Sequence, residues 1–184
     1  MTAPAHVRAA RPGDADGIAA VYRAYVLDSA TSFEEQAPDG SEIARRMASR
    51  PRLPWEVAVR DDEVVGYCYA VHYRSRPAYR WSVECSVYLA PGEQGRGTGR
   101  RLYDVLLPEL RTLGYVTACA GIVLPNPGSA RLHEALGFRP VGVDRDIGFK
   151  RGSWHDVGRW QLALRPPPAE PVDPADWSPP PAGG

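Results

Sequence analysis

The chain has 184 residues, 43% of them hydrophobic and 24% charged, enough to bury one sizeable core and too few for a second, so one domain is expected. Lys plus Arg and Asp plus Glu both number 22, which leaves no general attraction to nucleic acid or to an anionic membrane. Cys68, Cys85 and Cys119 are odd in number and widely spaced, with no CxxC pair, and point to a reducing cytoplasm; residues 1–10 hold no apolar signal segment, and no run approaches the ~18 apolar residues of a membrane span.

The hydrophobic pattern alternates between the two periods of regular structure. His6 to Ala10 reads as a strand, and Asp14 can cap a helix whose apolar face is Ile18, Val21, Tyr22 and Tyr25. A second helix is expected from about Ser41 to before Pro51. Trp55–Val59 and Val64–Tyr73 are β-rich runs joined by Asp61-Asp62-Glu63, a hairpin signal, and Trp81–Leu89 is a further strand. Gly97 to Leu113 carries Leu102, Val105, Leu106, Leu110 and Leu113 on one helical face, with Gly114 as its stop and Pro108 expected to kink or loosen it. Tyr115–Val123 reads as a strand, Asn126–Leu136 as a helix ended by Gly137, and Phe138–Ile147 and Trp154–Leu164 as the last two strands. The order predicts an α+β fold: a mostly antiparallel central sheet with flanking helices and one strand–helix–strand crossover. Residues 1–165 form the expected domain. Residues 166–184 are proline-rich and expected to be a disordered tail.

The segment richest in chemistry is Val83-Glu84-Cys85-Ser86-Val87-Tyr88-Leu89 followed by Gly92-Glu93-Gln94-Gly95-Arg96-Gly97-Thr98-Gly99-Arg100. A strand running into a glycine-rich loop that opens a helix aims backbone N–H groups at one point, and the helix dipole adds to the attraction for an anion. Glycine lets the backbone approach a pyrophosphate, and Arg96 and Arg100 can add charge-assisted bonds. A nucleotide P-loop would need Lys where Thr98 stands. A dinucleotide fingerprint would need Gly or Ala at Arg100 and an acidic residue near Cys119. A merely flexible turn remains as the alternative for the loop taken alone.

Gln94-x-x-Gly97-x-Gly99 resembles the coenzyme A pyrophosphate loop of the GNAT superfamily of N-acetyltransferases. Trp81-x-Val83-Glu84-x-x-Val87-Tyr88, Leu124-Pro125-Asn126, Arg131 to Phe138, and Gly152-x-Trp154-His155-Asp156-Val157-Gly158-x-Trp160-Gln161 are similar to its phosphinothricin and methionine sulfone N-acetyltransferase branch, over roughly residues 5–165.

The resemblance implies acetyl-CoA as cosubstrate, no metal, and a splayed strand pair that holds it. Val87, Tyr88 and Leu89 would take the pantetheine arm, with the Val87 N–H as donor to the thioester oxygen. Gly95, Arg96, Gly97, Thr98, Gly99 and Arg100 would take the pyrophosphate, and Asn126 would touch the cofactor from the next strand's end. Gly95 departs from the longer side chain common there. Glu84 is the implied general base, acting on the amine through a water; a solvent-facing edge residue is the bland alternative. His133 stands where many members carry a tyrosine that protonates the leaving thiolate, and the resemblance implies a catalytic role for it, as that acid or as an aid to Glu84 in moving the substrate proton; a helix-surface histidine is its alternative.

The acceptor pocket is expected around Phe33, Arg74, Arg76, Tyr79 and Lys150, with Arg76 binding a carboxylate or phosphinate, although Arg74 and Arg76 also suit a solvated loop. His155 and Asp156 read as structural, and Cys85 as a small buried side chain. The expected activity is direct acetyl transfer to the amine of a small amino-acid-like acceptor of phosphinothricin, methionine sulfone or methionine sulfoximine type, in the cytoplasm, with homodimerisation open. A non-catalytic acyl-CoA-binding protein and a peptide or protein acetyltransferase are the alternatives.

Overall fold

The computed structural model describes residues 4–179. Seven strands, β1 His6–Ala9, β2 Trp55–Arg60, β3 Glu63–His72, β4 Ser82–Leu89, β5 Thr117–Val123, β6 Arg139–Lys150 and β7 Ser153–Ala163, form one sheet in the order β1-β2-β3-β4-β5-β7-β6. Every neighbouring pair is antiparallel except β4–β5, which is parallel. The helices are α1 Ala15–Leu27, α2 Gly40–Met47, α3 Thr98–Thr112 and α4 Pro127–Ala135, and α3 is the crossover between the two parallel strands. This is the α+β architecture the periodicity predicts. Among the described residues, no helix is long and apolar enough to cross a membrane.

Both sheet faces are covered over β2 and β3, so Trp55, Glu56, Val57 and Ala58 are all buried in spite of alternating. Trp55, Val57 and Tyr67 pack with Ile18, Tyr22, Val26 and Ile43 of α1 and α2. Ala58, Cys68, Ala70, Val83 and Cys85 pack with Leu102, Tyr103, Leu106 and Leu110 of α3. The β2–β3 turn has positive φ at Asp61 and Asp62, the pair of left-handed residues that a two-residue hairpin demands.

Local chemistry moved several boundaries. Asp39 caps α2, its carboxylate accepting the Glu42 N–H at 2.9 Å, so α2 starts at Gly40 rather than Ser41. Asp14 does not cap α1 with its side chain; it accepts from Arg8 at 2.7 and 2.8 Å and from the Arg11 N–H at 2.6 Å, closing the turn before the helix. α3 runs through Pro108 because both Pro108 and Asp104, whose carbonyl loses its helical donor, are exposed.

The proline-rich tail is described as far as residue 179. Residues 166–179 form no strand, but Ala175 N–H donates to Leu113 O at 2.8 Å, Trp177 N–H to Arg52 O at 3.1 Å and the Trp177 indole to Glu109 at 3.0 Å, and Trp177 is buried. One aromatic side chain supplies the apolar anchor that the proline composition lacks. Residues 180–184 lie outside the described residues.

Beneath that anchor the buried Glu56 carboxyl lies near the half-buried Glu109. Neither Glu56 oxygen has a hydrogen-bond donor among the described residues. Burial pushes its carboxyl up from 4.5 to about 8, with the Glu109 carboxylate adding to the rise and Arg8 opposing it. Glu56 thus binds its proton more tightly folded than unfolded. Its contribution to stability is complete below 4.5 and is lost as pH rises through about 8. Wild-type stability should fall between pH 6 and 9 by on the order of 2 kcal/mol more than that of Glu56→Gln, as read by urea unfolding at the two pH values.

Candidate active site

The functional region is a split in the sheet. β4 and β5 are paired only at Ser82↔Thr117, Val83↔Ala118 and Glu84↔Cys119, and beyond Glu84 the two strands part. Alternation decides which backbone groups face the gap. Ser82 O and Ala90 N–H bond to β3, whereas Trp81 O bonds toward β5, so the odd-numbered residues Cys85, Val87 and Leu89 turn their N–H and C=O away from β3. Leu89 is already satisfied there: the Tyr25 hydroxyl donates to its carbonyl at 2.7 Å and accepts its N–H at 3.2 Å. Val87 is left facing the gap, a hollow of about 40 Å³ lined also by Cys85, Gly121, Ile122, Asn126, Ser129 and His133. Tyr88, expected beside it, turns its backbone to β3 and packs its ring edge-on against Tyr22 and Tyr25.

A larger cleft of about 590 Å³ continues from the gap, lined by Tyr25, Thr31, Val87 and Leu89, by Gln94, Gly95 and Gly97 to Arg100 of the loop, and by Asn126, Ser129 and Leu132 of the α4 side. The loop turns on left-handed glycines: Gly92, Gly95 and Gly97 have φ of +79, +76 and +78°. Gly97 is the N-cap of α3, and a Cβ there would project into open space. Glu93 organises the loop, although the sequence pattern did not single it out. It is buried, accepts from Arg60 at 2.6 and 2.9 Å, and takes a short bond from the Thr98 hydroxyl. The Arg60 contact holds its carboxyl below the usual range. The Thr98 side chain also accepts from Arg101 at 3.1 Å, so its hydroxyl is structural and only its backbone faces the cleft. Arg96 is exposed, and Arg100 lines the cleft while bonding Ala135 O at 3.2 Å. Asn126 caps α4, accepting the Ser129 N–H at 3.1 Å.

His133 is not a surface histidine. It is 3% exposed. Its Nδ1 lies 2.8 Å from Ser129 O, an atom that can only accept, so Nδ1 carries the proton and Nε2 accepts from the Tyr103 hydroxyl at 3.0 Å. Burial lowers its pKa, against the opposing Ser129 bond, and keeps the ring neutral. Helical periodicity put Leu132 and Leu136 inward and missed that the covering layer extends round to His133.

Glu84 projects from the sheet face opposite Val83 and Cys85, which are buried against α3. Its neighbours across the strands, Val71 and Cys119, line two hollows of about 220 Å³ each. One is walled by Arg46, Trp55, Tyr69 and Val71, the other by Tyr73, Tyr79, Cys119 and Arg159. The Arg159 guanidinium lies 3.8 Å from Glu84, and its Nε donates to Asp144 at 2.7 Å. Of the expected acceptor residues, Tyr79 lines this hollow and packs on Tyr73, and Arg74 stacks on Tyr73 with its charge felt at Cys119.

The other three of that set line neither hollow. Arg76 is exposed at the head of the Pro77–Tyr79 turn and lines neither hollow. Lys150 spends its ammonium on Val26 O, Ser32 O and Glu34 O at 2.6, 2.7 and 2.7 Å, pinning the 26–34 loop to the β6–β7 hairpin. Phe33 lies over Gly148 in the same seam, where a Cβ would meet its ring at 2.3 Å. His155 and Asp156 are also spent on that hairpin, His155 bonding Lys150 O at 3.0 Å and Asp156 accepting the Asp146 N–H at 2.9 Å.

This geometry recurs in known proteins. The model of the acetyltransferase (GNAT) domain family matches residues 7–158. A phosphinothricin N-acetyltransferase of Streptomyces viridochromogenes is 37% identical over 93% of this chain and 94% of its own. An L-methionine sulfoximine/L-methionine sulfone acetyltransferase of Salmonella typhimurium is 34% identical over 86% and 94%. The crystal structure of a GNAT superfamily phosphinothricin acetyltransferase from Sinorhizobium meliloti, in complex with AcCoA, superposes with a TM-score of 0.83 at 37% identity, over 89% of each chain. The split between β4 and β5, the glycine loop at the head of α3 and these matches together place the chain in the GNAT family of acetyltransferases.

Proposed function

We propose that the protein transfers acetyl from acetyl-CoA to the amine of a small amino-acid-like acceptor of the phosphinothricin, methionine sulfone or methionine sulfoximine type. The observation that carries this reading is the split sheet, with a cofactor-sized cleft on one side and Glu84, flanked by two small hollows, on the other. The residues present fit acetyl-CoA: Gly97 leaves open space where any side chain would intrude, and the Val87 N–H faces the gap. Acetyl-CoA supplies the acetyl group as a thioester. Gly95 to Arg100 hold the pyrophosphate, Asn126 and Val87 hold the arm, and the Val87 N–H donates to the thioester oxygen as charge builds on it. Glu84 takes the ammonium proton through a water, and the free amine lone pair forms the N–C bond as the C–S bond breaks. The thiolate leaves with its electron pair and takes up the second proton, which the nitrogen sheds as the amide forms, in the gap whose wall the Ser129 side of α4 lines. His133, neutral, holds Ser129 and the first turn of α4 in place.

Support for a small acceptor comes from the hollows beside Glu84, each about 220 Å³, too small for a folded protein surface to enter. Release of thiol from acetyl-CoA should be fast with phosphinothricin, methionine sulfone or methionine sulfoximine and slow with spermidine or a lysine-rich peptide. The opposite ranking would overturn the acceptor class and leave the family intact.

We infer further that the protein works in the cytoplasm, which suits three free cysteines, and that it is a homodimer. Support for the dimer is the edge strand β6 with its hairpin, where Val141, Ile147, Phe149 and Trp154 are 60, 55, 58 and 62% exposed. Sedimentation should give a dimer for the wild type and a monomer for Trp154→Glu combined with Phe149→Glu; a wild-type monomer refutes the assembly.

A further inference from the structure

The cation that the structure sets beside Glu84 is Arg159, a residue of β7 that no sequence motif singled out. It reaches Glu84 across β5. Its partner on β5 is Gly121, and a Cβ at Gly121 would stand 2.9 Å from the Arg159 Nη1 and 3.3 Å from the Glu84 Oε1. The missing side chain therefore leaves the corridor through which guanidinium and carboxylate face each other.

The guanidinium is oriented but not used up. Asp144 holds Nε at 2.7 Å and fixes the plane of the fork. No other hydrogen bond ties the terminal nitrogens to a described residue, and the 3.8 Å separation from Glu84 exceeds hydrogen-bond length. The fork edge faces a hollow walled by Tyr73, Tyr79 and Cys119. Of the other candidate cations, Lys150 is committed to three carbonyls, Arg76 stands on an exposed turn, and Arg74 lies stacked on the Tyr73 ring and, unlike Arg159, does not line the hollow.

An anionic anchor for an ammonium and a cationic fork for an oxoanion, set within one small molecule's reach, are complementary to a zwitterion. An α-amino acid carries its ammonium and carboxylate on the same carbon, so its two charges fall side by side as Glu84 and Arg159 do. We propose that Arg159 is the carboxylate-binding residue of the acceptor site, and that with Glu84 it restricts the enzyme to amines bearing a free carboxylate on the same carbon. This rests on the acceptor reading given above. The bidentate contact fixes the carboxylate and swings the amine toward Glu84 and the gap at Val87.

The test compares L-methionine sulfone with its decarboxylated counterpart, 3-(methylsulfonyl)propylamine, in steady-state kinetics on wild type, Arg159→Gln and Arg159→Lys. The wild type should prefer the amino acid. Arg159→Gln should raise KM for methionine sulfone roughly ten- to hundredfold, the size of one lost charge-assisted pair, while kcat/KM for the amine changes less than twofold. Arg159→Lys should fall between, because a point charge replaces the fork. An equal fall with both acceptors means that Arg159 acts only through Glu84, and unchanged discrimination means that the carboxylate binds elsewhere; either overturns this assignment alone. A wild-type enzyme that prefers the decarboxylated amine overturns the assignment and the acceptor reading together.

Discussion

Glu84→Gln should lower turnover about a hundredfold at neutral pH while leaving acetyl-CoA affinity unchanged. The substitution keeps the side chain's size, so the cross-strand contacts with Val71 and Cys119 survive. Affinity is spared because Glu84 does not line the cofactor cleft. The capacity to accept a proton is lost, together with the negative charge that faces Arg159. A protonated amine has no lone pair to offer, and the variant must wait for the fraction that is free in solution. Its rate should therefore recover as pH rises toward the amine's pKa, a dependence that damage to packing would not produce. Stopped-flow or steady-state thiol release between pH 6 and 9, with acetyl-CoA binding by calorimetry beside it, measures both. Normal turnover at pH 7 with a high-affinity acceptor would move the base to another group.

Gly97→Val should raise the acetyl-CoA dissociation constant at least about tenfold, with the fold retained. Gly97 has φ +78° and ψ 1° at the N-cap of α3, a conformation in which a β-branched residue is strained by about 1–2 kcal/mol. Nothing lies within 4 Å of a Cβ built there, so strain rather than a clash is the cost to the free protein. The clash is with the ligand, because backbone N–H groups at a helix N-terminus can cradle a pyrophosphate only at close approach. Gly99→Val is a less clean probe, since its Cβ would stand 3.0 Å from Leu132 and press α3 against α4. Unchanged acetyl-CoA binding by folded Gly97→Val would remove the pyrophosphate from this loop.

The elements themselves were legible because each rests on local chemistry. The Asp61-Asp62 turn needs two left-handed residues, and acidic residues tolerate that conformation. Gly114 and Gly137 stop their helices at positive φ. Glycines at 92, 95 and 97 announce a tight loop before α3, and Glu84 in a run of β-formers stands out as costly. The contacts of the tail are not legible for the converse reason: its prolines dominate the composition, whereas those contacts depend on one tryptophan meeting Glu109 and on backbone bonds to Leu113 and Arg52.

The sequence by itself determined which strands and helices form, that a glycine-rich loop opens α3, and that a carboxylate stands in mid-strand before it. It did so because turn, cap and periodicity signals lie within a few residues of one another. Partnership across the fold was decided only by tertiary structure. Lys150 bonds carbonyls 116 to 124 positions away, while Arg159 reaches Glu84 only because Gly121 intervenes without a side chain. His133 owes its neutral state to burial, and the Tyr103 hydroxyl that bonds its Nε2 is brought to it from α3. Long flexible cations and buried polar groups take whichever partner folding sets within hydrogen-bond reach, and that distance is written in no stretch of chain shorter than the whole domain.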